Sequence, residues 1–324
     1  MTSQTSTPLE AQSELTTEQR QVHSKPMHWW QSKTQRKQLA LALVFIGPWL
    51  IGLFAFTIYP IYYTVKLSFM KYGGFAPAEY IGLANYRRLL DDPLFAKSLW
   101  NTFYYTGLAV PIGVVVAMVL ALAMNQEMPE IPIYRVILYL PSVLPLFATS
   151  FIFWALLDPN MGIVNEFLRT LGFSPPNWFG SVTWAKPALV LMAQFGAGQI
   201  ALVFLASLKG IPPSLHEAAM IDGAGVLSRF KNITLPLMTP VILYDLILGI
   251  SLGLQAFTQS FIITDGGPAN STTFIVNHLY NNAFRYGGNM GYASAIGVVL
   301  FVITFVIAIA VFQTSSRWVH YDMT

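Results

Sequence analysis

The stretch that decides the fold is PPSLHEAAMIDGAGVLSRFKNITLP, residues 212–236. It is a polar island between two hydrophobic runs, residues 184–208 and 239–264. A membrane-spanning helix needs about 20 mostly apolar residues, and each of these runs is long enough. The pattern therefore predicts two spans joined by a short, structured loop at the membrane surface.

Local signals inside this loop predict a short helix. Ser214 and Glu217 have the spacing of a capping box, in which the two side chains satisfy free backbone donors at a helix start. Leu215–Asp222 can then form two turns, and Gly223 and Gly225 are expected to end the helix in the left-handed conformation.

The composition of the whole chain agrees with a membrane protein. Its 324 residues are 54% hydrophobic and 10% charged, whereas soluble domains carry about 25% charged residues. The net charge of +3 gives no indication of nucleic-acid binding. The chain contains no Cys, which excludes disulfides, thiolate metal sites and Cys nucleophiles.

Six runs are long enough to span a bilayer, so the predicted fold class is all-α, an integral membrane protein with six transmembrane helices. The runs are Leu39–Tyr63, Thr102–Met124, Val136–Leu157, Trp184–Leu208, Thr239–Thr264 and Tyr292–Gln313. Residues 39–316 are expected to form one membrane domain that includes the loop 209–238. The polar tail 1–38 is predicted to be disordered, and 317–324 to be a short second tail.

The connections 67–101, 158–183 and 265–291 are predicted to be long and loosely structured. Within the last of them, Gly266-Gly267-Pro268 predicts a tight turn, because Gly and Pro are typical turn residues.

Positive charge before the first run predicts the orientation. Lys33, Arg36 and Lys37 precede it, and cytoplasmic segments carry an excess of Lys and Arg near span ends. Six spans return the chain to its starting side, so both termini and the loop 209–238 are expected to be cytoplasmic.

The fifth run carries a polar pattern that predicts a solute path. Ser251, Gln255 and Gln259 recur at every fourth position, with Thr258 beside them, which would place them on one helical face. The alternative is that these side chains only form hydrogen bonds between helices of the same subunit. Gly249 and Gly253 have the spacing G-x-x-x-G, which predicts a face on the opposite side of the helix that packs closely against another helix.

Asp245 is the one acidic residue well inside a predicted span. Charge inside a membrane is costly and often functional. We therefore count Asp245 with the candidate path residues, although it lies close to the end of the span that faces the loop 209–238.

The loop resembles a known family motif. Glu217-Ala218-Ala219, Gly223, Ile233 and Leu235-Pro236 follow the pattern E-A-A-x3-G-x9-I-x-L-P, which resembles the EAA loop of the membrane subunits of ATP-binding-cassette (ABC) importers. The segments 82–102 and 264–272 resemble the branch that imports carbohydrates and glycerol phosphate. The resemblance covers roughly residues 40–315.

This resemblance implies a type I ABC importer permease fold with several partners: a second permease subunit, expected to be a different chain, an ABC ATPase dimer and an extracytoplasmic solute-binding protein. The residues expected to dock the ATPase are Glu217, Ala218, Ala219, Asp222 and Gly223. The chain is expected not to be an enzyme and to hold no cofactor or metal, with ATP and Mg²⁺ bound by the partner ATPase. The implied location is the plasma membrane of a prokaryote, and the implied solute is a sugar, oligosaccharide or polyol.

Two alternatives stay open. A permease of the same family for a non-sugar solute would also carry an EAA-type loop. A secondary carrier driven by an ion gradient would use intramembrane charge, for which Asp245 is the candidate. A membrane enzyme is disfavoured, since the sequence has no H-E-x-x-H motif and no Cys.

Overall fold

The computed structural model describes residues 33–320, and side chains from Lys37 onward. These residues belong to two compact units, which meet in the sequence between Tyr62 and Tyr63. Most of the tail predicted to be disordered, 1–32, lies outside the described residues, as does 321–324. The prediction is wrong for 33–38, because a helix begins at Lys33.

Within residues 33–320, four helices are long and apolar enough to cross a membrane, and six segments are when each bent helix pair is counted as one span. In chain order, spans 1 to 6 are Lys37–Ser68, Pro93–Met124, Ile131–Val143 with Leu146–Leu156, Ala185–Gly196 with Gly198–Lys209, Val226–Ile263 and Met290–Ser315. The predicted number of spans is confirmed on this count, although several spans begin earlier than the hydropathy predicts.

The individual elements have the following bounds. The α-helices are Lys33–Leu53, Tyr59–Ser68, Ala84–Asp91, Pro93–Met124, Ile131–Val143, Leu146–Leu156, Ile163–Thr170, Ala185–Ala193, Gly198–Lys209, Pro213–Ile221, Val226–Arg229, Leu235–Leu254, Thr258–Ile263, Ile275–Tyr280 and Met290–Ser315. Short π-helical segments are Phe54–Ile58, Phe230–Thr234 and Asn281–Arg285, and Gln194–Gly196 is a 3₁₀ turn. The strands Met70–Lys71 and Glu79–Tyr80 pair antiparallel.

Span 3 is not the continuous helix that the sequence predicts. Its two halves meet at an angle of 98°. Leu144 and Pro145 lie between the halves in extended conformations, with ψ angles of 132° and 140°. The reason is that a residue before proline is driven out of the helical region.

Span 4 bends by 49° just before Gly198. A Cβ on Gly198 would lie 2.5 Å from the Leu138 carbonyl oxygen of span 3. The glycine therefore lets the backbones of spans 3 and 4 approach closely.

The connections 67–101, 158–183 and 265–291 are more ordered than predicted. The connection 67–101 contains the two strands and the helix Ala84–Asp91. Asn85 holds this helix to the end of span 1, because its Nδ2 donates to the carbonyls of Ser68 and Met70, both at 2.9 Å. Local side-chain hydrogen bonds of this kind are weakly marked in a sequence, so the hydropathy pattern did not reveal them.

The other two connections also contain helices, Ile163–Thr170 and Ile275–Tyr280. Asp158 orders the approach to the first, since its Oδ1 accepts from the backbone amides of Asn160 and Met161, both at 2.9 Å. These two hydrogen bonds hold the pKa of the Asp158 carboxyl below its usual value. The prediction of loose structure is therefore wrong for all three connections.

Small side chains bring spans 2, 4 and 5 together. Ala117, Ala121 and Ala201 are fully buried around Phe204 and Met238. Small residues at helix contacts let membrane helices pack closely. This packing forms the frame of the candidate site.

Candidate functional site

The loop between spans 4 and 5 is built from two short helices. The first, Pro213–Ile221, is called the loop helix below; the second, Val226–Arg229, continues through the π-helical segment into span 5. The predicted capping box is wrong, since no side chain caps the loop helix. Pro213 occupies the first helical position, for which its fixed φ is suited, so Ser214 falls inside the first turn.

The loop helix ends in a Schellman motif. Gly223 has a φ of +81°. Its amide donates to the Met220 carbonyl, and the Ala224 amide donates to the Ala219 carbonyl at 2.8 Å. The predicted left-handed stop is thus confirmed at Gly223 but wrong at Gly225, whose φ of −70° starts the next helix.

The residues expected to dock an ATPase lie at the surface of this helix and its end. Glu217, Ala218, Asp222 and Gly223 are exposed, and Ala219 is half-buried. Within residues 33–320, the Glu217 carboxylate has no hydrogen bond or ion pair. It is therefore available to a second molecule.

Apolar side chains are exposed beside the loop helix. The exposed fractions of Ile221, Val226 and Leu227 are 87%, 76% and 78%. An apolar patch next to charged groups such as Glu217 and Asp222 is typical of a protein contact surface. The sequence reasoning missed this patch, because its members are separated by the glycine turn.

Residues of spans 2 to 5 line a second candidate site, a cavity of about 610 Å³ that we call the central cavity. Its polar lining consists of Tyr105, Gln194, Asp245, Gln255, Thr258 and Gln259. The remaining lining residues are apolar or glycine. Four of the five predicted path residues therefore meet in one cavity.

The predicted helical stripe is wrong in detail, because span 5 breaks beyond Leu254 and resumes at Thr258. Ser251 does not line the cavity; its hydroxyl donates to the Ile247 carbonyl of its own helix at 2.8 Å. The outer piece of the span is instead tied to the following turn, where the Ser260 hydroxyl donates to the Thr272 carbonyl.

Two glycines of span 5 make close contacts with span 2. A Cβ on Gly249 would lie 3.1 Å from Val110 Cγ1, and one on Gly253 would lie 2.9 Å from Thr106 Cγ2. The predicted packing face is therefore real. It is not opposite the path, however, since both glycines also line the central cavity.

Sequence reasoning missed Tyr105, the span 2 residue of the cavity. Its hydroxyl accepts from Gln259 Nε2 at 3.0 Å, across 154 positions of sequence. A tyrosine in a membrane helix carries no signal of such a distant partner. Gln194 is marked more clearly in the sequence, because it adjoins the glycines at the bend of span 4.

A polar network lies at the start of span 2 and is centred on Asp92. Its Oδ1 accepts from the amides of Leu94 and Phe95, which caps the helix. Its Oδ2 accepts from the Tyr292 hydroxyl at 2.6 Å and lies 3.0 Å from His278 Nε2. Burial alone raises the pKa of Asp92, but Tyr292, the amides and His278 together outweigh it, so this pKa is lowered.

His278 is buried in this network. Burial lowers the pKa of its imidazole, and the Asp92 carboxylate opposes only part of that shift. Asn282 Nδ2 lies 3.4 Å from its Nδ1. A neutral ring fits both contacts, with Nε2–H donating to Asp92 and Nδ1 accepting from Asn282.

The turn around Gly266-Gly267-Pro268 is fastened to the same end of span 2. Asn101 Nδ2 donates to the carbonyls of Asn270 and Thr273, at 2.9 and 3.1 Å. Thr102 Oγ1 accepts from the Ile275 amide at 2.9 Å. The predicted turn therefore also anchors the connection between spans 5 and 6.

A metal centre has no basis in the part of the chain that the structure describes. Among residues 33–320, no three His, Asp or Glu side chains are grouped so that they could hold a metal ion.

Comparison with known proteins identifies the family. Residues 94–319 match the family described as binding-protein-dependent transport system inner membrane component. The probable ABC transporter permease protein YesP of Bacillus subtilis is 36% identical over 295 residues, which are 90% of this chain and 95% of YesP. The sulfoquinovosyl glycerol transport system permease protein SmoG of Agrobacterium fabrum is 35% identical, over 87% of this chain and 92% of SmoG.

A solved structure shares the fold. It is a chain from the crystal structure of a bacterial ABC transporter involved in the import of the acidic polysaccharide alginate, which aligns with a TM-score of 0.75 at 24% identity. The alignment covers 87% of this chain and 96% of that one. The fold is the type I ABC importer permease fold, and the chain belongs to the family of binding-protein-dependent transport system inner membrane components.

Proposed function

We propose that this chain is one permease subunit of an ATP-driven ABC importer, and that it translocates a sugar, oligosaccharide or polyol delivered by an extracytoplasmic binding protein. The central cavity carries the proposal, because its polar lining consists of amides, hydroxyls and one carboxylate. Such groups suit a solute with many hydroxyls. The similarity to SmoG, a sulfoquinovosyl glycerol transport system permease protein, supports the sugar class.

The energy comes from outside this chain. The sequence contains no G-x-x-x-x-G-K-[ST] loop, so ATP and Mg²⁺ are bound by a partner ATPase pair and this chain itself holds no cofactor. The loop helix docks that pair through Glu217, Ala218, Ala219, Asp222 and Gly223. The exposed apolar patch beside the helix supports this role.

The cycle couples the loop helix to the central cavity. Closure of the ATPase pair on ATP moves the loop helix and switches the spans from an inward-facing to an outward-facing arrangement. The binding protein then releases solute to Asp245, Gln255, Thr258 and Gln259, and hydrolysis resets the spans. A second permease subunit, a different chain, completes the path.

The chain lies in the plasma membrane of a prokaryote with both termini in the cytoplasm. Lys33, Arg36 and Lys37 before span 1 support this orientation. It places the loop helix on the side where ATP is present.

The test is reconstitution of the chain with its co-expressed partners in proteoliposomes. We expect ATPase activity to rise when one sugar-loaded binding protein from a panel is added, and the same sugar to accumulate only with ATP. Asp245 favours one competing function, an ion-coupled carrier. Uptake that persists without ATP and stops when the proton or sodium gradient is collapsed would establish that carrier and refute the importer. Stimulation by a non-sugar solute would retain the importer and reject the sugar class.

A further inference from the structure

The central cavity offers ligands several hydrogen-bond acceptors that have no partner within residues 33–320. Gln194 Nε2 is already used, because it donates to the carbonyls of Val190 and Ala109 at 2.8 and 3.3 Å. A carbonyl can only accept, so these contacts fix the orientation of the amide. The Gln194 Oε1 atom is buried and has no hydrogen-bond partner.

Gln255 repeats this arrangement. Its Nε2 donates to the Ser251 carbonyl at 2.9 Å, which leaves its Oε1 without a partner among residues 33–320. The Oε1 of Gln259 is also buried and unpartnered, while its Nε2 donates to Tyr105. Because the Tyr105 hydroxyl can donate or accept, one polar atom of Gln259 stays free in either amide orientation.

The donors that remain are the hydroxyls of Tyr105 and Thr258 and the second amide N–H of Gln255 and of Gln259, since each of these amides uses only one N–H. Tyr105 keeps its own proton when it accepts from Gln259. All of these donors are neutral, so they do not compensate a charge in the cavity.

Among residues 37–320, Asp245 is the only charged residue that lines the cavity. It is 8% exposed, and within residues 33–320 its carboxylate has no hydrogen bond or ion pair. A buried carboxylate without a partner costs several kcal/mol on the order-of-magnitude scale for ion desolvation. A ligand that brings hydroxyl or ammonium donors would relieve this cost, whereas an anionic ligand would increase it.

We infer that Asp245 is a specificity-determining residue, which makes this cavity admit neutral or amino-bearing sugars and reject acidic ones. The sugar part of this statement rests on the proposed function. The charge selectivity belongs to the cavity itself and can be measured without any sugar.

The absence of Cys from the chain makes that measurement direct. Leu252 lines the cavity and lies seven residues beyond Asp245 in the same helix, a rise of about 10 Å. In the assembled transporter in lipid nanodiscs, Leu252→Cys is reacted with trimethylammonium-ethyl or sulfonato-ethyl methanethiosulfonate. Labelling of this chain is followed by mass spectrometry, so that cysteines of partner chains do not interfere.

The control cysteine is Thr183→Cys, an exposed position outside the cavity. We expect the ratio of cationic to anionic labelling rates at Leu252→Cys to exceed the control ratio about tenfold, from the interaction of unit charges at this separation. Adding Asp245→Asn should return the ratio close to the control value.

An unchanged ratio in the Asp245→Asn background would overturn the inference, since a proton or a partner cation would then neutralise Asp245. Thr258→Cys serves as the second probe if Leu252→Cys does not react with a neutral methanethiosulfonate. Failure at both positions would show that the cavity is closed to aqueous solutes, which also overturns the inference.

The sugar that stimulates the ATPase tests the substrate class. It is expected to carry no carboxylate, sulfonate or phosphate. Import of an acidic sugar would refute the inference and leave the proposed function standing. Import of a neutral solute that is not a sugar would instead refute the sugar class of the proposed function and leave the charge selectivity standing.

Discussion

At the scale of single residues, Asp92 connects three parts of the chain near the start of span 2. Its two oxygens cap span 2, accept from Tyr292 in span 6 and contact His278 in the connection before it. Arg88 lies over the Tyr292 ring at 4.1 Å from its centroid. These contacts keep charge at the end of a span without placing it among lipid tails.

Acid is predicted to weaken this network through His278. The pKa of His278 is lowered in the folded chain, whereas an unfolded chain has an ordinary histidine pKa of about 6.5. As pH falls through that value, the unfolded chain therefore binds a proton that the folded chain does not yet bind. The stability from the neutral ring is present above this pH and is lost below it, at up to about 1.4 kcal/mol per pH unit for one proton. Asp92 acts in the same direction at lower pH, because its pKa is also lowered.

The measurement is the thermal unfolding temperature of the chain in detergent at about pH 7.5 and about pH 5.5, which lie on either side of an ordinary histidine pKa. We expect the unfolding temperature of the original chain to drop more than that of His278→Gln. Equal drops in the two proteins would show that His278 does not titrate with unfolding.

At the scale of elements, the spans owe their shapes to local chemistry. Pro145 separates the halves of span 3, and Gly198 brings span 4 against its backbone. Span 5 joins span 2 through the contacts of Gly249 and Gly253. Small residues therefore determine how closely these helices approach.

Gly198→Ala is predicted to destabilise the contact between spans 3 and 4. The added methyl group would overlap the Leu138 carbonyl, and overpacking of this kind costs about 1–3 kcal/mol. Gly196→Ala is the matched control, since a Cβ there has no heavy atom within 4 Å.

The free energy of unfolding of the two variants in mixed micelles separates these effects. Gly198→Ala should be clearly less stable than the original chain, and Gly196→Ala equal to it or slightly more stable. A similar loss in both variants would point to a general need for glycine at the bend rather than to the contact with span 3.

The number and rough positions of the spans could be predicted from hydropathy, because apolar length is a property of the sequence itself. The break after Leu254 could not, because residues 239–264 form one continuous apolar run in the sequence. Gln255 and Gln259 were predicted to line the path because they would share one face of a continuous helix, but the helix is interrupted between Leu254 and Thr258. They nevertheless meet in the cavity, because the break leaves both on its wall.

The family motif predicted where the candidate docking loop lies, but not its internal geometry. The left-handed stop at Gly223 followed from the need for positive φ, which only glycine meets easily. The capping box failed because Pro213 starts the helix earlier than Ser214. The whole loop remains a candidate docking site, since the exposure of Glu217 does not depend on a capping role.

At the scale of the whole molecule, Glu217 is available for assembly rather than for folding. Its side chain has no partner within residues 33–320, so Glu217→Lys is predicted to leave the chain folded. It should lower the amount of ATPase that co-purifies by about tenfold, as loss of one charge-assisted contact of about 1.4 kcal/mol would.

The matched control is Glu127→Lys, the same charge change at an exposed position between spans 2 and 3. Co-purified ATPase is quantified against the amount of this chain, and thermal unfolding of both variants checks the fold. Equal ATPase retention in Glu217→Lys and Glu127→Lys would remove Glu217 from the docking surface.

Span 5 connects the loop to the cavity through consecutive helical segments. From Val226 to Asp245 the helix is unbroken except for a π-helical segment, a distance of about 30 Å. This helical part ends at Gln255, its C-cap. The following segment is hydrogen-bonded to the 264–274 turn, and that turn is hydrogen-bonded to span 2. If a partner displaces the loop, we expect the part of span 5 up to Leu254 to move relative to the segment Thr258–Ile263, so that residues 255–257 act as a hinge in the wall of the cavity.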